Sequence, residues 1–229
     1  MPTQQKDSQR SRFYARIGTG GWRDSGYDTF AYRSAAFRRW MRSQLPAGEM
    51  AILSVGCGAG ELERELSAAD RAVIGLDLSL AMLRRAARNG LCLPVQADAA
   101  LLPFGSRRFD AVMFVESIGY LDLDAVFKEA RRVLKAEGRL IVTSYPAHVD
   151  AHARYRKWPA DQVIACMTAA GFIVDRRQYL TVAKNRIAEA RSPGRSMLFC
   201  LSSTGRGLDA GRDLERERTL ERAKPPGAH

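Results

Sequence analysis

The stretch that decides the fold is Ala51-Ile52-Leu53-Ser54-Val55-Gly56-Cys57-Gly58-Ala59-Gly60, in which a mostly apolar run leads directly into three glycines. An apolar run of this length that ends in glycines is typical of a buried strand followed by a tight turn. Residues 61–68 then have the spacing of an amphipathic helix. Ligand atoms can approach glycine backbone closely, and free N–H groups at a helix start attract acceptor groups. We therefore predict a strand, turn and helix with a ligand site at the turn.

The spacing of the glycines limits which ligand this is. A dinucleotide fingerprint would have its third glycine at position 61, which is Glu61. A phosphate-binding P-loop would need Gly-Lys-Ser/Thr, which is absent. The tight G-x-G-x-G form followed by an acid favours a ligand without phosphates.

The alternation of apolar and amphipathic stretches continues on the C-terminal side. Continuous apolar strands separated by helices indicate a parallel sheet covered on both faces, and therefore an α/β, doubly wound fold. The last two strands are expected to form an antiparallel hairpin at the sheet edge, because 184–195 is short and polar for a crossover helix. The seven predicted strands are 51–55, 72–76, 91–95, 109–115, 139–143, 172–174 and 197–201.

One domain is predicted for residues 13–203, and 13–48 is expected to form a lid and an entry helix. This segment is rich in aromatic residues, of which Tyr14 and Trp22 are expected to cover substrate, while Tyr32 and Trp40 are expected to pack on the sheet. Residues 1–12 are polar and are expected to be a disordered leader. Residues 204–229 are expected to be a flexible charged tail.

The 229 residues carry a net charge of +11, but the excess of basic residues lies before position 50 and between 126 and 200, whereas 51–125 is acidic. Scattered arginines favour solvated helix faces over a nucleic-acid site, so nucleic-acid binding is disfavoured. No apolar run is long enough for a membrane helix, and the four cysteines form no pair or cluster. A cytoplasmic monomer or homodimer without a metal site is expected.

Two aspartates follow the second and third predicted strands. Asp77 ends the second strand, where a carboxylate can accept hydrogen bonds from both ribose hydroxyls. Asp98 and Ala99 follow the third strand, where a side-chain acceptor and a backbone N–H can bind an adenine edge. Together with the glycine turn they indicate a nucleoside-containing ligand.

With these residues in place, 50–143 resembles the class I, Rossmann-like methyltransferases that use S-adenosylmethionine and act on small molecules. The resemblance implies that the cofactor is S-adenosylmethionine and that the product is S-adenosylhomocysteine. It assigns the methionine moiety to Gly56, Cys57, Gly58 and Gly60, the ribose to Asp77, the adenine to Asp98 and Ala99, and further cofactor contacts to Leu78, Met82 and Glu116. The matching stretches are 53–60, 75–79 with 82–83, 97–98 with 102–104, 109–112, and 132–135 with 138–140.

The sequence departs from that family at one place. Many relatives carry an acid two residues before the first glycine, where this chain has Ser54. We expect either a lower affinity for the cofactor or an amino group held by backbone carbonyls instead.

The catalytic residues are expected after the fourth strand, in Val115-Glu116-Ser117-Ile118-Gly119-Tyr120. No Asn/Asp-Pro-Pro-Tyr/Phe motif of amino-group methylases and no Pro-Cys pair of cytosine C5 methylases is present. Glu116, Ser117 and Tyr120 are similar to this region in methylases of isoprenoid, sterol or tocopherol-like carbon, where an acid takes a proton or stabilises a cation. The alternative is that Glu116 faces cofactor or solvent and Tyr120 packs.

His148 is a second candidate base, since the ordinary pKa of histidine suits that role. His152 lies four residues on, but without a third ligand a metal site is not expected.

The sequence therefore favours methyl transfer to a small-molecule O, N or C nucleophile, in secondary or isoprenoid-type metabolism. Two alternatives stay open: an RNA or protein methyltransferase that uses the basic C-terminal third, and a non-catalytic protein that binds S-adenosylmethionine.

Overall fold

The computed structural model describes residues 34–45, 48–67, 71–91, 93–144, 156–183, 186–190 and 197–204. The predictions for the leader, for Tyr14 and Trp22 as lid residues, for the packing of Tyr32, for His148 and His152, and for the tail beyond 204 lie outside these residues.

Helices and strands alternate along the described chain. The helices are α1 (Ala35–Ser43), α2 (Glu61–Leu66), α3 (Leu80–Arg88), α4 (Leu123–Val133) and α5 (Ala160–Ala169). The strands are β1 (Met50–Val55), β2 (Arg71–Asp77), β3 (Leu93–Gln96), β4 (Phe109–Val115), β5 (Leu134–Ser144), β6 (Ile173–Ala183), β7 (Arg186–Glu189) and β8 (Met197–Ser203).

All eight of these strands form one sheet in the order β3-β2-β1-β4-β5-β8-β6-β7. Strands β1 to β5 pair in parallel with their neighbours, and β8 runs antiparallel to both β5 and β6. The prediction of a doubly wound, mostly parallel sheet with an antiparallel edge is therefore confirmed. The order changes direction at β1 and β4, and in open α/β sheets the crevice at such a point binds ligands.

The described residues contain eight strands rather than the seven predicted. The polar segment after β6 contains the additional strand β7, which pairs antiparallel with β6 at the edge of the sheet. The two strands predicted as a hairpin do pair antiparallel, but β8 inserts between β5 and β6. Phe199 and Cys200 of β8 are accordingly fully buried.

Helices pack on both faces of the sheet. On one face α1, α2 and α3 contribute the apolar side chains Phe37, Met41, Leu62, Leu66 and Met82. On the other face α4 and α5 contribute Val126, Phe127, Val163 and Met167. Trp40 lies edge-on to Phe199, with ring centroids 4.8 Å apart, which places it against the sheet as predicted.

Side-chain caps fix where two of the helices begin. The Ser79 hydroxyl accepts from the Met82 N–H at the start of α3, and the Asp122 carboxylate accepts from the Ala125 N–H at the start of α4. The carboxyl ends of β1, β2 and β4 meet beside these starts and carry the predicted site. In the described part of the chain, no helix is long and apolar enough to cross a membrane.

Candidate cofactor and catalytic site

The turn between β1 and α2 depends on its glycines. Gly56, Gly58 and Gly60 all have positive φ, at 76°, 56° and 71°. Other residues rarely adopt this backbone conformation. The N–H groups of Gly56 and Cys57 both donate to the Leu76 carbonyl, at 2.7 and 3.0 Å, and so join the turn to the end of β2.

Close packing is a second reason for glycine at positions 56 and 60, in addition to the positive φ. A Cβ atom on Gly56 would lie 2.5 Å from Ser117 Cβ, and one on Gly60 would lie 2.9 Å from Ala86 Cβ. A Cβ on Gly58 would meet only the end of Met82, at 3.5 Å. The absence of a side chain at Gly56 and Gly60 therefore lets the turn pack closely against Ser117 and α3. The space beside Gly58 is open except for the end of Met82.

Asp77 is bound to the same turn. Its Oδ2 accepts from the Gly58 N–H at 3.0 Å and its Oδ1 accepts from the Ser79 N–H at 2.8 Å. Burial raises the pKa of Asp77, and these backbone hydrogen bonds oppose that rise. A carboxylate oxygen has two lone pairs, so each oxygen can still accept from a ligand hydroxyl. The arrangement fits the ribose role that the resemblance implies.

The loop after β3 presents the two residues predicted to bind adenine. Asp98 is exposed, and its Oδ1 accepts from the Ala100 N–H at 2.9 Å. Ala99 is buried against the core. Asp98 therefore has a second carboxylate oxygen available at the surface of this loop. The loop follows β3, which pairs with β2, the strand that ends at Asp77.

Glu129 and Arg132 of α4 hold that loop, a connection that the sequence analysis did not identify. Glu129 accepts from the Leu102 N–H at 2.7 Å, and Arg132 donates to the carbonyls of Leu102 and Phe104 at 3.0 and 2.7 Å. The two side chains also form a 2.7 Å ion pair, which lowers the pKa of Glu129 and raises that of Arg132. Arg132 opens one family-like stretch and residues 102–104 form another, and this co-occurrence was the available signal for the contact.

A second unexpected contact lies beneath the turn. Ser54 donates a 2.6 Å hydrogen bond to Oε1 of Glu63, and both side chains are buried. Burial raises the pKa of Glu63 to about 7, although the bond from Ser54 opposes the rise. The substitution of an acid by Ser54 was the only sequence signal for this pair.

Cys57 is half-buried within the turn. Burial raises the pKa of its thiol well above the ordinary value, and the nearby carboxyl groups of Glu63 and Asp77 raise it further. Cys57 is therefore a neutral thiol at physiological pH and contributes its backbone N–H to the turn.

Glu116 lies directly after β4 with φ +55°, in the left-handed region that non-glycine residues rarely occupy. Its N–H donates to both the carbonyl and the hydroxyl of Thr143, each at 3.1 Å. Its side chain is 5 % exposed. The next residue, Ser117, donates to the Val55 carbonyl at 2.7 Å and so joins the end of β4 to the glycine turn.

Tyr120 ends a short 3₁₀ turn, Ile118–Tyr120, and its side chain is half-buried. Residues 156–158, which the sequence analysis missed, hold this turn in place. Trp158 donates from its indole nitrogen to the Ile118 carbonyl at 3.1 Å, and the Arg156 N–H donates to the Gly119 carbonyl at 2.7 Å. The region that carries Glu116 and Tyr120 is therefore fixed on both sides.

The remaining predicted cofactor contacts differ in exposure. Leu78 is half-buried beside Asp77, and its carbonyl accepts from the Gln96 side chain at 3.2 Å. Met82 is fully buried and packs beneath Gly58. Its direct contact with the cofactor stays a prediction. No group of three His, Cys, Asp or Glu side chains suited to a metal ion occurs within the described ranges.

Comparison with known proteins agrees with this geometry. A family model described as a methyltransferase domain matches residues 53–142, from within β1 to within β5. The uncharacterized methyltransferase YdaC of Bacillus subtilis is 31 % identical over 157 residues, which cover 65 % of this chain and 85 % of YdaC. The chain therefore belongs to the class I, Rossmann-like methyltransferases, whose cofactor is S-adenosylmethionine.

Other relatives match over shorter shares of their length. The biotin biosynthesis bifunctional protein BioHC of Saccharophagus degradans is 36 % identical over 124 residues, which cover 52 % of this chain and 22 % of BioHC. The chain spans less than half of the length of each of the first three curated relatives. Among solved structures, a SAM-dependent methyltransferase of Thermotoga maritima has a TM-score of 0.62 at 20 % identity, over 87 % of this chain and 96 % of that one.

Proposed function

We propose that this chain transfers the methyl group of S-adenosylmethionine to an O, N or C nucleophile of a small molecule, of a secondary or isoprenoid type. Residues 13–203 would form the catalytic domain, with 13–48 contributing a lid. The observation that carries the proposal is Glu116, a buried carboxyl group on left-handed backbone at the end of β4, beside the glycine turn. Such backbone costs of order 1 kcal/mol or more and persists mainly at functional sites.

The cofactor, when bound, supplies a methyl group already activated on a sulfonium. The protein then needs chiefly to align and desolvate the nucleophile. The glycine turn and Asp77 would hold the cofactor, and the bond from Ser117 to Val55 keeps Glu116 next to that turn. Glu116 would take the proton of a hydroxyl or amine, or stabilise a cation formed on carbon.

Tyr120 would position the acceptor, because its turn is fixed by Trp158 and by the Arg156 backbone. His148 stays the second candidate base.

The main rival is an RNA or protein methyltransferase that uses the basic C-terminal third. Five arginines of that third have partners among the residues that the structure describes. Arg131 donates to the Thr204 carbonyl, Arg132 holds the loop at Leu102, and Arg176 donates to the Gln44 side chain. Arg156 stacks on Trp158, and Arg177 pairs with Asp161. These contacts support the small-molecule proposal, because they leave fewer guanidinium groups to bind phosphates.

The test is the substitution Glu116→Gln, with Glu137→Gln of the exposed part of β5 as the matched control. Transfer of labelled methyl from S-adenosylmethionine is measured over a panel of small phenols, amines and prenyl compounds. Glu116→Gln should lose roughly 10²- to 10⁴-fold in rate. Its calorimetric affinity for S-adenosylhomocysteine should stay within about twofold of the unsubstituted protein. Unchanged turnover would contradict the role of Glu116.

The RNA alternative is tested separately. A shift of RNA mobility that persists at physiological ionic strength would support it, and its absence would count against it.

A further inference from the structure

Glu63 is a buried acid whose charge is balanced by no basic side chain in the part of the chain that the structure describes. It is the third residue of α2, its side chain is 3 % exposed, and its hydrogen bond from Ser54 measures 2.6 Å. No Lys, Arg or His nitrogen within the described ranges lies within the 4.0 Å ion-pair distance of its carboxyl group. A buried carboxylate without a cation is costly, so such a group either stays protonated or awaits a ligand that supplies the charge.

The charged groups around Glu63 agree with this. Asp77 of β2 and Glu61 of the same helix both interact electrostatically with Glu63. Because both are acids, they disfavour the ionised form of Glu63. From the glycine turn, Cys57 faces it as a neutral thiol. Arg38 of α1 reaches this helix, but its guanidinium pairs with Glu65 at 2.6 Å and with Glu61 at 3.9 Å.

The carboxyl group lies directly under the turn that binds the methionine part of the cofactor. Ser54, its hydrogen-bond donor, is two residues before Gly56. Glu63 is close enough to Cys57 to raise the pKa of that thiol, and Asp77 is close enough to raise the pKa of Glu63. The acid is therefore surrounded by the turn, the end of β2 and the start of α2.

We propose that Glu63, oriented by Ser54, is the carboxylate that balances the α-ammonium group of the bound cofactor. Binding of that cation favours the ionised form of Glu63, so its carboxyl O–H bond breaks and the proton passes to the solvent buffer. The ammonium keeps all its protons, and no covalent bond to the cofactor forms.

This proposal changes the interpretation of Ser54. The sequence left two explanations for its presence, namely weaker binding or an amino group held by backbone carbonyls. The hydrogen bond from Ser54 to Glu63 supports a third explanation, in which position 54 supplies a hydroxyl and position 63 supplies the acid. The rival interpretation is that the bond only ties α2 to β1.

Calorimetric titration separates the two interpretations without any turnover measurement. S-adenosylhomocysteine is titrated at pH 6.5 in phosphate and in imidazole buffers, whose ionisation enthalpies differ, so the difference in heat counts protons released. An α-amino group with an ordinary pKa of about 7.7–8.0 stays protonated there. We expect release of roughly half to three-quarters of a proton per bound ligand, because Glu63 is largely protonated in the free protein.

Glu63→Gln keeps an acceptor for Ser54 but removes the charge. It should release no proton and should bind S-adenosylhomocysteine about ten- to a hundredfold more weakly. Glu65→Gln, on the same helix, should behave like the unsubstituted protein. 5′-Methylthioadenosine, which lacks the amino-acid part, should bind Glu63→Gln with unchanged affinity and without proton release, which also shows that this variant is folded.

Ser54→Asp added to Glu63→Gln should restore at least part of the affinity, since it returns a carboxylate to the same space. Proton release that persists in Glu63→Gln, or an affinity for S-adenosylhomocysteine that does not change, would overturn the proposal. None of these readouts is turnover, so they test Glu63 whether or not Glu116 is a catalytic base.

Discussion

The N–H of Gly58 donates a 3.0 Å hydrogen bond to Oδ2 of Asp77, so the middle glycine of the turn and the acid at the end of β2 form one unit. The Ser79 N–H binds the other oxygen of the same carboxylate at 2.8 Å. The carboxylate is therefore oriented before any ligand binds. Because the Asp77 side chain is already ordered, ligand binding loses little free energy in ordering it.

Asp77→Asn should weaken cofactor binding strongly. An amide has only one acceptor oxygen, so one of the two backbone N–H groups loses its partner and the second ribose hydroxyl loses its acceptor. Loss of such bonds costs about 1.5–3 kcal/mol each, so the affinity for S-adenosylhomocysteine should fall by tenfold or more. Asp98→Asn should have a smaller effect because Asp98 is exposed. Equal effects of both variants in calorimetry would argue against Asp77 as the ribose acid.

Gly56→Ala should unfold the turn or prevent cofactor binding. The added Cβ would lie 2.5 Å from Ser117 Cβ, on backbone with φ +76°. Adding Ser117→Gly removes the close contact but not the unfavourable φ, so the double variant should recover part of the lost thermal stability. Thermal unfolding of both variants checks this, and a stable Gly56→Ala single variant would show that the turn differs from the one described.

The stability of the ligand-free protein should depend on Glu63 as pH changes. Its pKa rises from the ordinary 4.5 to about 7 on folding, so the unfolded chain releases this proton at lower pH than the folded one. Glu63 therefore lowers stability progressively as pH rises from about 4.5 to about 7, by up to about 3 kcal/mol. Glu63→Gln should match the unsubstituted protein near pH 4 in urea unfolding and exceed it near pH 8. A difference that does not change with pH would exclude a raised pKa at this position.

Arg132→Lys should loosen the loop that carries Asp98. Lysine cannot make the forked contacts of Arg132 to Glu129, Leu102 and Phe104 at once. Because Arg132 is partly exposed, we expect a loss of only about 1–2 kcal/mol in unfolding free energy. Hydrogen exchange should accelerate at the Leu102 amide. Arg131→Lys, the same change one residue earlier, should leave that amide unaffected, and equal exchange in both variants would show that Arg132 does not hold the loop.

The sequence was sufficient for the main features of the fold because the signals were local. Continuous apolar strands and the glycine turn predicted the parallel sheet, and Trp40 packs on it as its helical spacing indicated. Strand β7 was missed because its four residues, Arg186–Glu189, have no apolar run and gain their pairing only from β6. The position of β8 inside the sheet depends on pairing between distant segments, which periodicity does not report.

The proximity of Gly58 and Asp77 was predictable because the two residues lie at the ends of consecutive strands. The pair of Ser54 and Glu63 was not, since it joins a strand to a helix across the turn and neither residue is unusual alone. Arg132 was likewise quoted as part of a family-like stretch without its contact to the loop at Leu102. Both contacts depend on side-chain packing between elements, which sequence spacing alone does not determine.

The most direct test of the central claim is calorimetric titration of the full chain with S-adenosylmethionine and S-adenosylhomocysteine. Both ligands should bind at one molecule per chain, and Asp77→Asn should weaken the binding of both. A folded protein that binds neither ligand would contradict the assignment of the glycine turn and Asp77 as a working cofactor site.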